Sequence, residues 1–174
     1  MPRVQPELLL CPCSREVHAR KAEGAGCESP PAQIGISVSS GTAPPLKVYL
    51  SVPMIANRAV ARAQLMAKAI TDAGHTVTSP WVLGPIESQA KGSVDVFQRD
   101  TRATEDSDAI VADVTEPSIG VGMELMAAYK AGRRIIIVAR KGNVKSGMLT
   151  HMDRKETVEY EDEGEIYSGL MRLL

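Results

Sequence analysis

The sequence has 174 residues, enough for one domain with a sizeable core, and its 44% apolar and 24% charged residues are typical of globular proteins. The formal net charge of -1 gives no strong field that would attract nucleic acid or an anionic membrane surface. Because no apolar run reaches bilayer-spanning length, we expect an intracellular, cytoplasmic protein (nuclear as well, in a eukaryote) that has neither a nucleic-acid polymer nor a membrane as partner.

Residues 1–45 have little capacity to bury apolar surface, and we predict a disordered N-terminal extension there. Prolines interrupt the segment at Pro2, Pro6, Pro12, Pro30, Pro31, Pro44 and Pro45. All three cysteines of the chain also lie in it, at Cys11, Cys13 and Cys27. Their spacing matches no zinc pattern, and no strand or helix signal is present to hold a tetrahedral site, so free thiols are favoured over a metal site.

Residues 46–174 alternate between strand-like and helix-like patterns, which predicts one α/β domain. Apolar or β-branched runs predict strands at 46–52, 76–79, 109–114, 133–139 and 157–160. Periodic apolar positions and stop signals predict helices at 56–73, 94–107, 120–131, 144–152 and 163–174, with a long loop at 80–92. This alternation favours a parallel sheet covered on both faces, in which ligands bind beyond the carboxyl ends of the strands.

The stretch from Asp113 to Leu125 is the most informative part of the chain. It leaves a buried strand, turns through a proline and two glycines, and then opens a helix in whose first turn we expect Glu124. Gly120 and Gly122 would let the backbone approach a ligand closely, and the free N–H groups and dipole of the helix start favour an anion such as phosphate. Spacing alone is also compatible with a second interpretation, in which the segment is only a tight strand-to-helix connection and the glutamate only complements the helix dipole.

Two other residues could take part in a site. Asp100 lies in a charge-rich predicted helix, where a solvated face is the favoured interpretation, but a second carboxylate beside Glu124 could divide the work of glycoside cleavage. Trp81, the only tryptophan, follows the second predicted strand. A lone tryptophan most often packs in the core. Because Trp81 is predicted in a loop, contact with the base of a nucleotide is the alternative.

The pattern from Val111 to Leu125 resembles the signature of the 2′-deoxynucleoside 5′-phosphate N-hydrolases, relatives of the nucleoside 2-deoxyribosyltransferases, and the resemblance covers residues 46–174. It implies a flavodoxin-like (Rossmann-like) three-layer α/β sandwich with a five-stranded parallel sheet. It also implies a homodimer with shared active sites and no metal or organic cofactor. The residues that it assigns are the nucleophile Glu124, the second carboxylate Asp100, the active-site tyrosine Tyr49, phosphate contacts at Ser118 and Gly120, and Ser146 given to the neighbouring subunit's phosphate. The amides of the 118–122 turn, which includes Gly122, would also hold the phosphate.

The first loop departs from that family. A Gly-Ser-Ile-Arg-Gly-Gly run is replaced here by residues 52–57 (VPMIAN), so the phosphate-facing arginine is absent from its usual place. Arg58 is the residue that could stand in for it, and Trp81 occupies the position of a histidine near the base. Spacing alone favours a helix N-cap for Ser146, and only the resemblance assigns it a phosphate.

The predicted activity is hydrolysis of the N-glycosidic bond of a (2′-deoxy)nucleoside 5′-monophosphate to free base and (deoxy)ribose 5-phosphate through a glycosyl intermediate on Glu124. One alternative is transfer of the sugar to a second base, as in the deoxyribosyltransferases. Another, of a different class, is a nucleotide-binding sensor without turnover. The sequence does not determine the base or the sugar.

Overall fold

The structure is a computed structural model that describes residues 44–54, 59–84, 95–144 and 146–174. The compact unit Thr42–Leu174 carries all the described strands and helices. The predicted extension at 1–45, apart from its last two residues, and the three cysteines lie outside the described part of the chain. Among the described helices, none is both long and apolar enough to cross a membrane.

The described strands form one parallel sheet. They are β1 (Lys47–Ser51), β2 (Thr76–Val77), β3 (Ala109–Asp113), β4 (Arg134–Arg140) and β5 (Lys155–Tyr160). Their spatial order is β2-β1-β3-β4-β5, with every neighbouring pair parallel. This is the flavodoxin-like order, so the predicted fold class is confirmed, and the order changes direction between β1 and β3, where such folds bind ligands.

The helices that cover the sheet begin and end at recognisable caps. They are α1 (Val60–Asp72), α2 (Val96–Glu105), α3 (Ile119–Lys130), α4 (Gly147–His151) and α5 (Gly164–Met171). A short 3₁₀ helix, Pro80–Leu83, occupies the start of the loop predicted at 80–92. The Asp95 carboxylate accepts a hydrogen bond from the Gln98 amide at 3.0 Å and thereby starts α2 two residues later than predicted. Gly74, at φ 85, ends α1 as the sequence predicts.

Side chains alternate between two cores along each central strand. Val48 and Leu50 of β1 pack with α1 and α5 on one face of the sheet. Tyr49, between them, belongs to the core on the other face, with Val121 and Leu125 of α3. The α2 helix packs beside α3 on that second face. The alternation follows from the two-residue period of a strand, and it assigns Tyr49 and every second residue of β1 to the side of α3.

The start of α3 differs from the prediction in a way that matters for the site. Ser118 caps the helix by accepting from the Val121 amide at 3.4 Å, so the helix begins at Ile119. Gly120 and Gly122 therefore lie inside the first turn with ordinary helical conformation, and the expected turn through two glycines is wrong. The expectation that Glu124 lies in the first turn is wrong as well, because it falls in the second.

Candidate active site

The Glu124 carboxylate is held by two hydroxyl groups from β1. The Tyr49 Oη donates to Glu124 Oε1 at 3.0 Å. The Ser51 Oγ donates to the other carboxylate oxygen, Oε2. Tyr49 and Ser51 are buried and Glu124 is partly buried, and each carboxylate oxygen has its own donor. The sequence predicts Tyr49 and Glu124 as members of one site, and the structure brings them into contact.

The strand and helix geometry explains this meeting. Tyr49 and Ser51 are two residues apart on β1 and therefore project on the same face, toward α3. β1 pairs with β3 in parallel, Ser51 opposite Ala112, so its end is fixed beside the strand that leads into α3. On α3, Glu124 lies three residues after the buried Val121 and so flanks the buried stripe of the helix.

The surroundings of Glu124 act on its pKa in both directions. Burial raises the pKa of the Glu124 carboxyl above its ordinary value, and the negative charge of Asp100 raises it further. The hydrogen bonds from Ser51 and Tyr49 and the positive charge of Arg99 lower that pKa and act against burial. Burial, then the charges of Glu124 and Asp100, raise the pKa of Tyr49, so its phenol stays protonated as a donor.

Asp100 belongs to the same cluster, together with two neighbours. Its Oδ1 accepts a hydrogen bond from Arg99 Nε at 2.7 Å, and both side chains are largely buried. The Arg99 guanidinium also lies over the ring of Trp81, 4.3 Å from the centroid. Trp81 meets Tyr49 edge-on, with ring centroids 6.4 Å apart. A connected set therefore runs from Asp100 through Arg99 and Trp81 to Tyr49 and Glu124.

Sequence reasoning did not single out Ser51 or Arg99. The signal for Ser51 was its place two residues after Tyr49 on a predicted strand, which assigns both to one face. Arg99 stood beside Asp100 in a charge-rich run, where a solvated helix face was the favoured interpretation. The Arg99 guanidinium covers one face of the Trp81 ring, so a base could contact only the rest of the ring. That contact stays a prediction.

The predicted phosphate residues lie at the start of α3 and in the loop after β4. Ser118 is the N-cap of α3, and Gly120 and Gly122 are exposed in its first turn. Ser146 is an exposed N-cap of the short α4, accepting from the Leu149 amide at 3.4 Å, as spacing alone favoured. Its role toward a neighbouring subunit stays a prediction. Arg58 lies outside the described residues.

A cleft of about 600 Å³ lies between α3 and α4 and is mainly apolar. Ser118 and Ser146 both line it, together with apolar side chains such as Leu125, Met126 and Met148. Neither Glu124 nor Tyr49 is among its described lining residues, so the cleft adjoins the serines and not the carboxylate. In the described ranges, no group of three or more histidine, cysteine, aspartate or glutamate residues is arranged to hold a metal ion.

Comparisons with known proteins identify relatives of this chain. No protein-family model matches the sequence. A "putative 2′-deoxynucleoside 5′-phosphate N-hydrolase 1" of Thermofilum pendens is 34% identical over 104 residues, which cover 58% of this chain and 73% of that protein. A 5-hydroxymethyl-dUMP N-hydrolase of Homo sapiens is 35% identical over 91 residues, 49% of this chain and 52% of the human protein.

A solved structure shows the same fold. The CMP N-glycosidase of Clostridium botulinum superposes with a TM-score of 0.58 over 74% of this chain and 99% of that one, at 17% identity. With the fold established and a relative of 34% identity matched over 73% of its length, the chain belongs to the family of 2′-deoxynucleoside 5′-phosphate N-hydrolases.

Proposed function

We propose that the protein hydrolyses the N-glycosidic bond of (2′-deoxy)nucleoside 5′-monophosphates, with Glu124 as the nucleophile. The observation that carries the proposal is the partly buried Glu124 carboxylate with one hydroxyl donor on each oxygen, at the ligand-binding edge of the sheet. Family membership supplies the reaction class. The names of relatives include 5-hydroxymethyl-dUMP and CMP as substrates, so base and sugar vary among similar proteins.

The reaction takes place in two steps. In the first, a Glu124 oxygen attacks C1′ through an oxocarbenium-like state while the C1′–N bond breaks, and the departing base takes the electron pair and a proton from solvent, with Asp100 assisting its departure. In the second, water attacks C1′, the C1′–O bond to Glu124 breaks, and the water proton is released to solvent. The products are the free base and the sugar 5-phosphate.

The 5′-phosphate binds at the start of α3. The Val121 and Gly122 amides bond Ser118, but an α-helix leaves its first amide groups, here those of Ile119 and Gly120, without partners inside the helix, and the helix dipole is positive there. The Ser118 oxygen accepts from Val121, which leaves its hydroxyl proton free to be donated to a phosphate oxygen. Binding energy at the phosphate then aligns C1′ with Glu124 and favours nucleotides over nucleosides.

A second copy of the chain completes the site in this proposal. Ile119 is 86% exposed and Met148 is 74% exposed, on either side of the apolar cleft, and Met123 is also exposed. Large apolar side chains around one cleft are typical of an interaction surface. Docking of a second copy there would bring its Ser146 toward the phosphate at Ser118.

The test of the activity is chromatographic detection of free base from a panel of ribo- and deoxyribonucleoside monophosphates and the matching nucleosides. Glu124→Gln should lower kcat/KM by at least about a thousandfold, because it removes the nucleophile without changing shape. The matched control is Glu105→Gln, which makes the same carboxylate-to-amide change at an exposed residue at the end of α2. Base release by Glu124→Gln within about tenfold of wild type would refute the assignment.

Two further readings of the same assay decide between alternatives. Capture of the sugar by an added free base would identify a transferase, and saturable binding without base release would identify a sensor.

The shared site of the proposed dimer is tested by complementation, in which Glu124→Ala chains are mixed and re-assembled with Ser146→Ala chains. Activity above the sum of the separate variants supports a shared site, and a monomer by sedimentation contradicts it.

A further inference from the structure

The Ser51 hydroxyl is one of the two donors on Glu124, but no step of the reaction proposed so far assigns it a task. It is 1% exposed at the end of β1, and its hydroxyl donates to Glu124 Oε2. A serine at the end of a buried strand has no packing advantage over alanine, since its hydroxyl must find a partner once it is taken from water. Here that partner is the carboxylate to which we assign the chemistry.

The two donors act on different oxygens and come from one rigid element. Tyr49 binds Oε1 and Ser51 binds Oε2, so rotation of the carboxylate about its last bond would break both hydrogen bonds. β1 pairs with β2 on one side and with β3 on the other, which fixes both hydroxyls relative to the sheet. With Tyr49 alone, one oxygen of Glu124 would lack a donor and the carboxylate plane would be free to turn.

We propose that Ser51 is a positioning residue that, together with Tyr49, orients the Glu124 carboxylate and keeps it in the ionised, nucleophilic form. The inference rests on the proposed function of Glu124. A hydroxyl can donate to a carboxylate more strongly than to a neutral carboxylic acid, so the Ser51 contact favours the charged form. It acts against the burial that raises the pKa of Glu124.

Removal of the hydroxyl has a predictable consequence for pH dependence. In Ser51→Ala, burial and Asp100 act on Glu124 with one fewer compensating donor, so the pKa of Glu124 rises further. The acid limb of kcat/KM should move to higher pH by about one unit. At a pH on that limb, kcat/KM should fall about tenfold, while well above it the loss should be smaller and should appear in kcat rather than KM.

The experiment compares the pH profiles of wild type, Ser51→Ala and Ser79→Ala. Ser79 is the matched control because it is also buried beside β1, but its hydroxyl bonds the Leu50 backbone, at 2.8 Å from the amide and 2.7 Å to the carbonyl. Ser79→Ala should lose stability without moving the acid limb. A limb that stays within about 0.3 pH unit of wild type in Ser51→Ala, or moves equally in both variants, overturns the proposal.

A second measurement does not depend on turnover. Urea unfolding of wild type and Ser51→Ala is followed from about pH 7.5 down to 4.5, the ordinary value for glutamic acid. The stability deficit of the variant should shrink as Glu124 is protonated, and a pH-independent deficit contradicts the proposal. If Glu124→Gln keeps full activity, the proposed function fails. If Glu124→Gln is inactive but Ser51→Ala behaves as wild type in both measurements, only the role of Ser51 fails.

Discussion

The Arg62–Asp113 ion pair provides a quantitative test of how the segment before Ser118 is held. Arg62 Nε lies 2.8 Å from Asp113 Oδ2, and the side chains are 8% and 0% exposed. Asp113 is the last residue of β3 and also accepts from the Thr115 amide at 2.9 Å. Weaker contacts join Arg62 to Glu116 at 3.9 Å and to Glu163 at 3.6 Å. Arg62 thus ties α1 to the turn that leads into α3.

Arg62→Met keeps much of the apolar stem and removes the charge. It leaves the Asp113 carboxylate buried without its cation, and breaking one side of a buried pair costs about 3–5 kcal/mol. The contacts with Glu116 and Glu163 are longer and partly exposed, so each adds at most about 0.5 kcal/mol. We expect a loss of about 3–6 kcal/mol in the free energy of unfolding, a large share of the stability of one domain.

Urea unfolding followed by circular dichroism measures this loss. The control is Lys141→Met, because Lys141 pairs with Glu161 at a similar 2.7 Å but with side chains 66% and 68% exposed, and it should cost less than about 1 kcal/mol. Asp113→Asn in the Arg62→Met background should cost less than it does alone, with a coupling of at least about 1.5 kcal/mol. Equal losses in Arg62→Met and Lys141→Met, or additive effects in the cycle, would refute the reasoning.

Three further predictions concern Glu124, a buried glycine and the single tryptophan. Glu124→Gln should unfold at a higher urea concentration than wild type at neutral pH, because a raised pKa means that ionisation of Glu124 costs folding free energy. This gain in stability should vanish as the pH falls below 4.5, and a gain that persists there would contradict the prediction. Gly169→Ala should destabilise by about 1 kcal/mol despite better helix propensity, since its Cβ would lie 2.4 Å from Val158 Cγ1, and it should become neutral or stabilising in a Val158→Ala background. Trp81 fluorescence should change on titration with a nucleoside monophosphate and, without ligand, in Arg99→Met, which uncovers the ring; unchanged emission in both would count against its place in the site.

Much of the fold followed from the sequence because its strands are strongly apolar. After Arg133 and Arg134, the run from 135 to 139 is wholly apolar, which predicts burial on both faces, and β4 occupies Arg134–Arg140 with five consecutive buried residues. The ends of the helices were less predictable, because a single capping residue sets where each helix begins. The helix predicted at 144–152 is shorter in the structure, Gly147–His151, because Ser146 is its N-cap.

The site was predictable where one local pattern carries the chemistry and not where two distant segments must meet. The stretch before Glu124 gives both a phosphate-type helix start and a carboxylate within one short segment. The partners of that carboxylate are 75 and 73 residues away in the chain, at Tyr49 and Ser51. No local pattern indicates such a contact, and for Tyr49 only the family resemblance assigned it.

The placement of both donors on β1 also determines how the site can fail. A strand has a period of two, so a slip of one residue in its pairing would turn Tyr49 and Ser51 away from α3 and bring Leu50 against the carboxylate. That slip would exchange the contents of the two cores, because Leu50 and Val48 pack with α1 while Tyr49 packs with α3. The hydrophobic pattern that stabilises β1 therefore also fixes the hydroxyls at Glu124. Because the same strand orients both donors, substitutions in the α1 core that loosen β1 should impair the carboxylate before they unfold the domain.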